Sequence, residues 1–153
     1  MADEDVVDIW TDGGCKPNPG AGGWGAILVF KGTQKEMSGA ALETTNNRME
    51  LTAAAEALET LKWPCKVKLH TDSEYLKNGI TRWMTGWVRK NWRNASGDPV
   101  KNMDLWQRIL DAAKAHEIEW KWVRSHVGIA LNERADELAT AARDAAMAAR
   151  GRR

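Results

Sequence analysis

The first third of the chain contains short apolar stretches separated by glycine-rich turns. The strands predicted in this part are 5–12, 24–30 and 34–41. The first strand is expected to end at Gly13-Gly14, where two glycines interrupt the apolar pattern. Lys31-Gly32 offers a tight hairpin turn between the second and third strands. Three consecutive strands with short connections predict an antiparallel meander.

The rest of the chain alternates helices with strands. In the first helix, apolar residues recur at helical spacing from Leu51 to Leu61, and Pro64 follows its end. The predicted helices are 46–61, a set of short helices within 73–87, 104–116 and 132–149, and the intervening strands are 67–72 and 118–123. Strands separated by helices become parallel neighbours, so the pattern predicts a single α/β domain with a mixed sheet. We expect this domain to span residues 1–153, with a core over about 5–145 and a frayed tail over 146–153.

The composition is that of a chain able to fold without disulfides or a structural metal. Hydrophobic residues make up 43% of the 153 residues, which suffices for a buried core. Cys15 and Cys65 fit no metal-binding spacing, so we expect reduced thiols. No apolar run approaches the roughly 20 residues of a membrane span, and the acidic residues 1–5 differ from a signal peptide. These features predict a cytoplasmic protein that does not enter the membrane.

The net charge of +1 carries no information about nucleic acid, but the distribution of charge does. Residues 82–101, which we call the basic segment, hold five cations against the single acid Asp98, and three tryptophans are interleaved with them. These residues are Arg82, Arg89, Lys90, Arg93 and Lys101, with Trp83, Trp87 and Trp92. The segment is either a nucleic-acid surface or a merely solvated loop. The helical spacing of Trp83 and Trp87 also suits packing of the loop onto the body of the protein.

Two strands end alike, with an aspartate after an apolar stretch and a small residue after the aspartate. Residues 9–13 read Ile-Trp-Thr-Asp-Gly, and residues 69–73 read Leu-His-Thr-Asp-Ser. If the two strands are parallel neighbours, Asp12 and Asp72 lie side by side at the carboxyl edge of the sheet, where ligand sites form. Each aspartate alone could instead start a turn or cap a helix. The repetition of the pattern favours a shared site.

Two further acids lie in helices at positions that could complete such a site. Glu50 borders the apolar face of the first helix, where a buried charge is costly unless a cation meets it. With Asn132 as the expected N-cap, Asp136 falls at the end of the first turn of the last helix, where the helix dipole also favours an anion. Four converging carboxylates need cations, and oxygen ligands suit Mg²⁺ or Mn²⁺. Two such ions about 3.5–4 Å apart would support phosphodiester hydrolysis.

One histidine has a position that suits the same chemistry. His126 lies in the loop between the last strand and the last helix. A single loop histidine is most often solvated and without a role, but beside a metal–phosphate site it could transfer protons near neutral pH.

Several motifs appear in an order typical of one bacterial family. They are Thr11-Asp12-Gly13, Asn18-Pro19-Gly20, Gly22-Gly23-Trp24-Gly25, Thr44-Thr45-Asn46-Asn47-Arg48-Met49-Glu50-Leu51, Thr71-Asp72-Ser73, Lys101-Asn102-Met103-Asp104-Leu105-Trp106 and Asn132-Glu133-Arg134-Ala135-Asp136-Glu137-Leu138-Ala139. The octet that ends at Leu51 is the most specific of them. Through these motifs the chain resembles bacterial ribonuclease HI over nearly its whole length.

This resemblance implies a ribonuclease H fold, with a five-stranded mixed sheet flanked by helices. It implies a monomeric, magnesium-dependent endonuclease that cuts the RNA strand of RNA–DNA hybrids. The family's metal-binding catalytic acids match Asp12, Glu50, Asp72 and Asp136, its mobile-loop histidine matches His126, and its minor-groove contacts match Cys15, Asn18, Asn46 and Asn47. Amides can both donate to and accept from a 2′-hydroxyl, which distinguishes RNA from DNA. The basic segment matches the family's basic protrusion, which binds the DNA strand.

The chain departs from the family pattern at two places. The histidine loop usually reads Gly-His-x-Gly-His-Pro, whereas residues 125–131 read Ser-His-Val-Gly-Ile-Ala-Leu and lack the second histidine and the proline. Glu74 stands where a glutamine that contacts the substrate is common. His126 itself is retained, so the departure in the histidine loop concerns the mobility of the loop. The departure at Glu74 concerns contact with the hybrid.

Two other function classes are compatible with parts of this pattern. Transposases, integrases and junction resolvases share the fold and its clustered carboxylates, but Asn46-Asn47, the basic segment and the lack of an appended DNA-binding domain argue against them. A hybrid-binding module without catalysis would keep the asparagines and lose one or more of the acids. All four acids are present. Cleavage of a labelled hybrid on addition of Mg²⁺ separates the three alternatives.

Overall fold

The sheet has five strands in the order β3-β2-β1-β4-β5 in a computed structural model that describes residues 6–123 and 130–151. The strands are β1 (Val6–Cys15), β2 (Gly20–Phe30), β3 (Thr33–Thr44), β4 (Lys66–Thr71) and β5 (Glu117–Trp122). The first three pair antiparallel as a meander, whereas β4 pairs parallel with both β1 and β5. The structure therefore confirms the predicted mixed sheet.

Glycines that the sequence analysis assigned to turns lie inside strands. β1 continues through Gly13 and Gly14 to Cys15, and Gly13 pairs with Trp24 of β2. A Cβ atom at Gly13 would lie 2.6 Å from the carbonyl oxygen of Met49. Close approach of the neighbouring helix, rather than a turn, thus explains this glycine, and the expected end of the first strand at Gly13 was wrong.

The helices occupy the predicted regions with shifted ends. They are α1 (Asn46–Glu59), α2 (Glu74–Asn78), a π-helical turn (Gly79–Trp83), α3 (Met84–Arg89), α4 (Met103–Ala115) and α5 (Ala130–Gly151). The N-cap of α1 is Thr45, whose hydroxyl accepts a hydrogen bond from the Arg48 N–H at 3.1 Å. Residues 146–151 continue α5 as helix, and fraying of this end in solution stays a prediction.

The expected N-cap of the last helix was wrong. α5 begins at Ala130, so Asn132 lies within its first turn and is almost fully buried. Asp136 therefore lies beyond the first turn, where the influence of the helix dipole has largely decayed. The dipole no longer accounts for an acid at this position.

Helices pack on both faces of the sheet, as the alternation along β2 shows. Gly23 and Gly25 face the backbone of α5, whereas Ala26 and Leu28 belong to the main core. On that second face α1 and α4 pack together over the sheet. The largest fully buried side chains there include Ile9, Leu51, Leu58, Leu69 and Trp106.

None of the helices in the described parts of the chain is both long and apolar enough to cross a membrane.

Candidate active site

Parallel pairing of β1 with β4 brings together the two strand-end aspartates. Trp10 is in register with His70, so Asp12 and Asp72 both lie two residues further on, at the same edge of the sheet. Carboxylate oxygens of Asp12, Glu50 and Asp72 lie within 4.8 Å of one another. The structure thus assembles three of the four predicted acids into one compact cluster, which we call the acidic cluster.

Glu50 reaches the cluster because α1 packs directly against β1. The missing side chain of Gly13 makes this possible, since a Cβ atom there would lie 2.7 Å from the Glu50 nitrogen. The Glu50 side chain is only partly exposed, and its Oε1 atom is buried without a hydrogen-bond partner in the described part of the chain. A buried carboxylate oxygen without a donor is an incomplete site that a cation could complete.

Asp136 approaches the cluster from α5, on the opposite side of the sheet from α1. It is exposed, it shares a side-chain hydrogen bond with Asp12, and it lines the same cavity of about 400 Å³ as the other three acids. Asp136 is thus the outer member of the site and Asp12 is its centre.

Burial and crowding make the ionised form of the cluster unfavourable. Burial, followed by the hydrogen bond to Asp136 and repulsion from Asp72, raises the pKa of Asp12 to about 8. Burial, followed by repulsion from Asp12 and Asp72, holds the pKa of Glu50 well above its ordinary value. The Gly13 N–H opposes both shifts by donating a hydrogen bond to each carboxylate. A divalent cation would compensate the negative charge of these carboxylates.

The ligand atoms fit a hard cation. The acidic cluster offers carboxylate oxygens and no sulfur or imidazole among the described residues. This donor set suits Mg²⁺ or Mn²⁺ rather than zinc.

Beside the acids, a hydrogen-bonded cluster joins the end of β1 to the start of α1. The Asn46 side chain accepts a hydrogen bond from the Cys15 N–H at 2.7 Å, and the Asn18 side chain accepts one from the Asn46 N–H at 3.2 Å. The Cys15 thiol donates to the carbonyl oxygens of Pro17 and Thr44. These bonds fix Cys15, Asn18 and Asn46 next to the cavity, which Asn46 and Asn47 both line.

A model of the ribonuclease H family matches residues 4–144. The chain belongs to the ribonuclease H family. It is 75% identical over 140 residues to a ribonuclease H of Acidiphilium cryptum, an alignment that covers 92% of this chain and 88% of that protein. The predicted membership of the bacterial ribonuclease HI group is thereby confirmed, and the protein is an enzyme with nuclease activity.

Two solved structures support the fold assignment. A type 1 ribonuclease H with the type 2 active-site motif superposes with a TM-score of 0.81 at 31% identity and covers 92% of this chain and 73% of its own. A ribonuclease H1 in complex with an RNA/DNA hybrid superposes with a TM-score of 0.70 at 26% identity, covering 92% and 99%. Both comparisons confirm the ribonuclease H fold.

Glu74, which stands where a glutamine is common in the family, lines the same cavity as the acids. Ser73 caps α2, its hydroxyl accepting a hydrogen bond from the Leu76 N–H at 3.1 Å. Glu74 is therefore an exposed acid in the first turn of this helix. This position suits a favourable interaction with the helix dipole as well as the contact with the substrate that the family resemblance implies.

The basic segment lies away from the acids, and no residue of it lines the cavity. Arg89, Lys90 and Arg93 are exposed, and Arg93 donates a hydrogen bond to the Gly97 carbonyl oxygen at 2.8 Å. Trp87 stacks in tilted geometry on Trp83, Trp92 and Trp106 at centroid distances of 5.8, 6.0 and 5.3 Å. The tryptophans therefore pack this segment onto α4, and 38% of the Trp83 surface stays exposed.

One cavity residue carries no motif that distinguished it in the sequence. Tyr75 lines the cavity next to Glu74, and its hydroxyl accepts hydrogen bonds from Asn102 at 3.0 Å and Trp106 at 3.4 Å. Only its place directly after the Asp72-Ser73-Glu74 stretch could have indicated it. His126, the remaining candidate, lies outside the described residues.

Proposed function

We propose that this ribonuclease H is an endonuclease that hydrolyses the RNA strand of RNA–DNA hybrids with two Mg²⁺ ions. The observation that carries the proposal is the acidic cluster, in which three carboxylates lie within 4.8 Å of one another and a fourth lines the same cavity. Asp12, Glu50, Asp72 and Asp136 would hold the ions, and Mn²⁺ could replace Mg²⁺. Bound ions of this kind supply an activated water and stabilise the leaving oxygen in phosphodiester hydrolysis.

The chain's own residues set the geometry of the reaction. Asp12 and Asp72 are held by paired strands, and Glu50 is held by α1, so these acids are positioned before substrate arrives. Attack of water on phosphorus with departure of the 3′ oxygen would leave 5′-phosphate and 3′-hydroxyl ends. His126, which the family resemblance matches to a catalytic loop histidine, would transfer protons during turnover.

Recognition of RNA would come from the asparagine side chains beside the acids. Asn46 and Asn47 line the cavity. The Cys15 N–H donates a hydrogen bond to the Asn46 side chain, and the Asn18 side chain accepts one from the Asn46 N–H. Amide groups in this position could read 2′-hydroxyls in the minor groove. The hybrid-bound relative gives independent support for this class of substrate.

The DNA strand would lie on the basic segment. Its exposed cations Arg89, Lys90 and Arg93 would contact phosphates. Trp83, Trp87 and Trp92 would support this surface, with Trp83 exposed enough to touch the strand itself. A cytoplasmic location and a monomeric state stay predictions from the sequence.

Cleavage of a labelled RNA–DNA hybrid tests the proposal. Mg²⁺ should produce RNA fragments with 5′-phosphate ends, a chelator should stop the reaction, and RNA–RNA and DNA–DNA duplexes of the same sequence should stay intact. Cleavage of the DNA–DNA duplex would favour a transposase-like or resolvase-like enzyme. Binding of the hybrid without any cleavage would favour a non-catalytic module, and 2′,3′-cyclic phosphate ends would mean that the 2′-hydroxyl is the nucleophile.

A further inference from the structure

A second cavity adjoins the catalytic one and continues past Asp12 toward the middle of α5. It has a volume of about 240 Å³ and shares Asp12, Asn46 and Asp136 with the catalytic cavity. Its far wall carries two cations, Lys16 and Arg143. Acids thus line both cavities, whereas the two cations line only the second, a distribution that suits a chain of phosphates better than a single metal ion.

The backbone of α5 holds Arg143 in this wall. Arg143 lies seven residues after Asp136, which places the two side chains on the same face of the helix, two turns apart. The helix packs closely against β2. A Cβ atom added at Gly23 would lie only 2.9 Å from the backbone nitrogen of Arg143. Asp136 and Arg143 are thus presented to the two cavities at a fixed separation by one rigid element.

The guanidinium of Arg143 retains donors for a ligand. Its Nε and Nη2 atoms both donate to Oδ1 of Asp144, at 3.1 and 2.8 Å. Its Nη1 atom makes no hydrogen bond to the parts of the chain that the structure describes. The Arg143 side chain is 23% exposed whereas that of Asp144 is 60% exposed, so Arg143 is the more buried partner of this ion pair. A guanidinium has five N–H donors in a planar fork, which matches the geometry of a phosphate.

We propose that Arg143, assisted by Lys16, binds a backbone phosphate of the RNA strand adjacent to the scissile phosphate. This inference rests on the proposed function, which puts the scissile phosphate at the acidic cluster. The cavity assigns the contact to the RNA strand because it is also lined by Cys15 and Asn46, the residues proposed to read 2′-hydroxyls. Arg143 would then fix the register of the strand at the acids, as a substrate-positioning residue.

Steady-state kinetics on a hybrid with one cleavage site test the contact. Arg143→Gln should raise KM about tenfold with kcat nearly unchanged, the size expected for one charge-assisted hydrogen bond. It should also reduce the slope of log(kcat/KM) against log salt by roughly 0.7–0.9, as expected when one phosphate is no longer neutralised. Arg143→Lys should restore the slope. Arg150→Gln, two turns further along the exposed end of α5, is the matched control and should change neither quantity.

A scan with neutral linkages identifies the phosphate. Single methylphosphonate linkages are placed along the RNA strand on either side of the scissile one. The wild-type enzyme should lose about tenfold in kcat/KM at one linkage next to the cleavage site, and Arg143→Gln should show no further loss at that linkage. Equal losses in both enzymes at every linkage, or an equal change of salt slope in Arg150→Gln, would overturn the inference. If the wild-type enzyme does not cleave the hybrid, the proposed function fails instead.

Discussion

At the scale of single residues, Asp12 is the acid whose surroundings the structure defines most fully. It is the centre of the acidic cluster, it is 5% exposed, and it receives a hydrogen bond from the Gly13 backbone. A carboxyl group in that position is poorly suited to be an anion unless a cation is bound, because burial and its neighbours raise its pKa to about 8. Metal binding and the stability of the protein are therefore linked through this residue.

The first prediction concerns catalysis by Asp72. Asp72→Asn keeps the shape of the side chain and removes the charge that would hold a cation, so Mg²⁺-dependent cleavage should fall to background while hybrid binding is largely retained. Single-turnover cleavage and equilibrium binding measure the two quantities separately. Asp111→Asn on α4, an exposed acid away from the cavity, is the matched control. Full cleavage activity in Asp72→Asn would rule out the proposed metal site.

The second prediction concerns stability without metal. Asp12 keeps its proton in the folded chain up to about pH 8, whereas the unfolded chain releases it near its ordinary value of 3.8. The folded state thus binds more protons between these values, so the stability of the metal-free enzyme should fall as the pH rises through this range. Asp12→Asn should flatten this dependence and be the more stable protein at pH 8.

Chemical unfolding at several pH values in a chelator measures this effect. Addition of Mg²⁺ should then stabilise the wild-type enzyme more than Asp12→Asn, because the ion binds only the folded wild-type site tightly. Parallel pH curves for the two proteins would show that Asp12 does not control the stability of the site.

The third prediction concerns Glu74. An ionised glutamate can only accept hydrogen bonds, and in the cavity it also repels phosphates. Glu74→Gln should therefore tighten hybrid binding several-fold, most clearly at low salt where the repulsion is least screened. The cleavage step should be nearly unchanged, and α2 should lose about 0.3–1 kcal/mol of helix-dipole stabilisation. Weaker binding, or a large fall in the single-turnover rate, would show that Glu74 belongs to the catalytic site.

At the scale of elements, close contacts between backbones position the acids. α1 lies against Gly13 and α5 lies against Gly23 and Gly25, so the helices that carry Glu50 and Asp136 approach the sheet at positions that have no side chain. The lack of a Cβ atom decides these contacts, because the backbone conformation at these glycines is ordinary for a strand.

Gly23→Ala tests the contact of α5 with the sheet. The added methyl would meet the Ala139 carbonyl oxygen and lie 2.9 Å from the Arg143 nitrogen, so α5 must move away from β2. We expect a loss of about 1–3 kcal/mol in stability, as for overpacking of a tight core, and a reduced kcat because Asp136 moves with the helix. Thermal unfolding and steady-state kinetics measure both effects.

The control is Gly86→Ala in α3, where the structure shows open space. This substitution should leave stability unchanged or raise it by about 0.5–1 kcal/mol, because alanine favours a helix more than glycine does. A Gly23→Ala protein as stable and active as the wild type would show that α5 does not need this close approach.

At the scale of the whole molecule, the acids and the exposed cations of the basic segment occupy different regions. The acids lie at the carboxyl edge of the sheet, and the cations of the basic segment are spread from the π-helical turn to the start of α4. Aromatic contacts connect the two, from Tyr75 in the cavity through Trp83 to Trp87, with centroid distances of 5.8 Å each. The proposed function requires that a duplex contact both regions at once, one strand at each.

Neutralising the basic segment tests this arrangement. The triple substitution Arg89→Gln, Lys90→Gln and Arg93→Gln should weaken hybrid binding strongly at physiological salt. It should reduce the slope of log affinity against log salt by roughly 0.7–0.9 for each phosphate that the variant no longer binds. The control replaces three other exposed cations, Lys35, Lys62 and Lys114, and should change the slope little. An unchanged slope in the first protein would mean that the basic segment is only a solvated loop.

The sequence by itself determined the fold class and the family, and it singled out the four acids as candidates for one site. Strand-end aspartates and helical periodicity are local features, and local features can be identified without the three-dimensional structure. The family motifs indicated the remaining candidate site residues.

Only the tertiary structure decided how these parts meet. The distances among Asp12, Glu50 and Asp72 depend on the register of β1 with β4 and on the approach of α1, and both involve residues far apart in the chain. The same reason explains why the predicted end of the first strand at Gly13 was wrong. Gly13 is a contact point for α1, and a contact between distant parts of the chain leaves no local signal in the sequence. Tyr75 in the first cavity and Arg143 in the second likewise became visible only when the positions of α2 and α5 around the cavities were known.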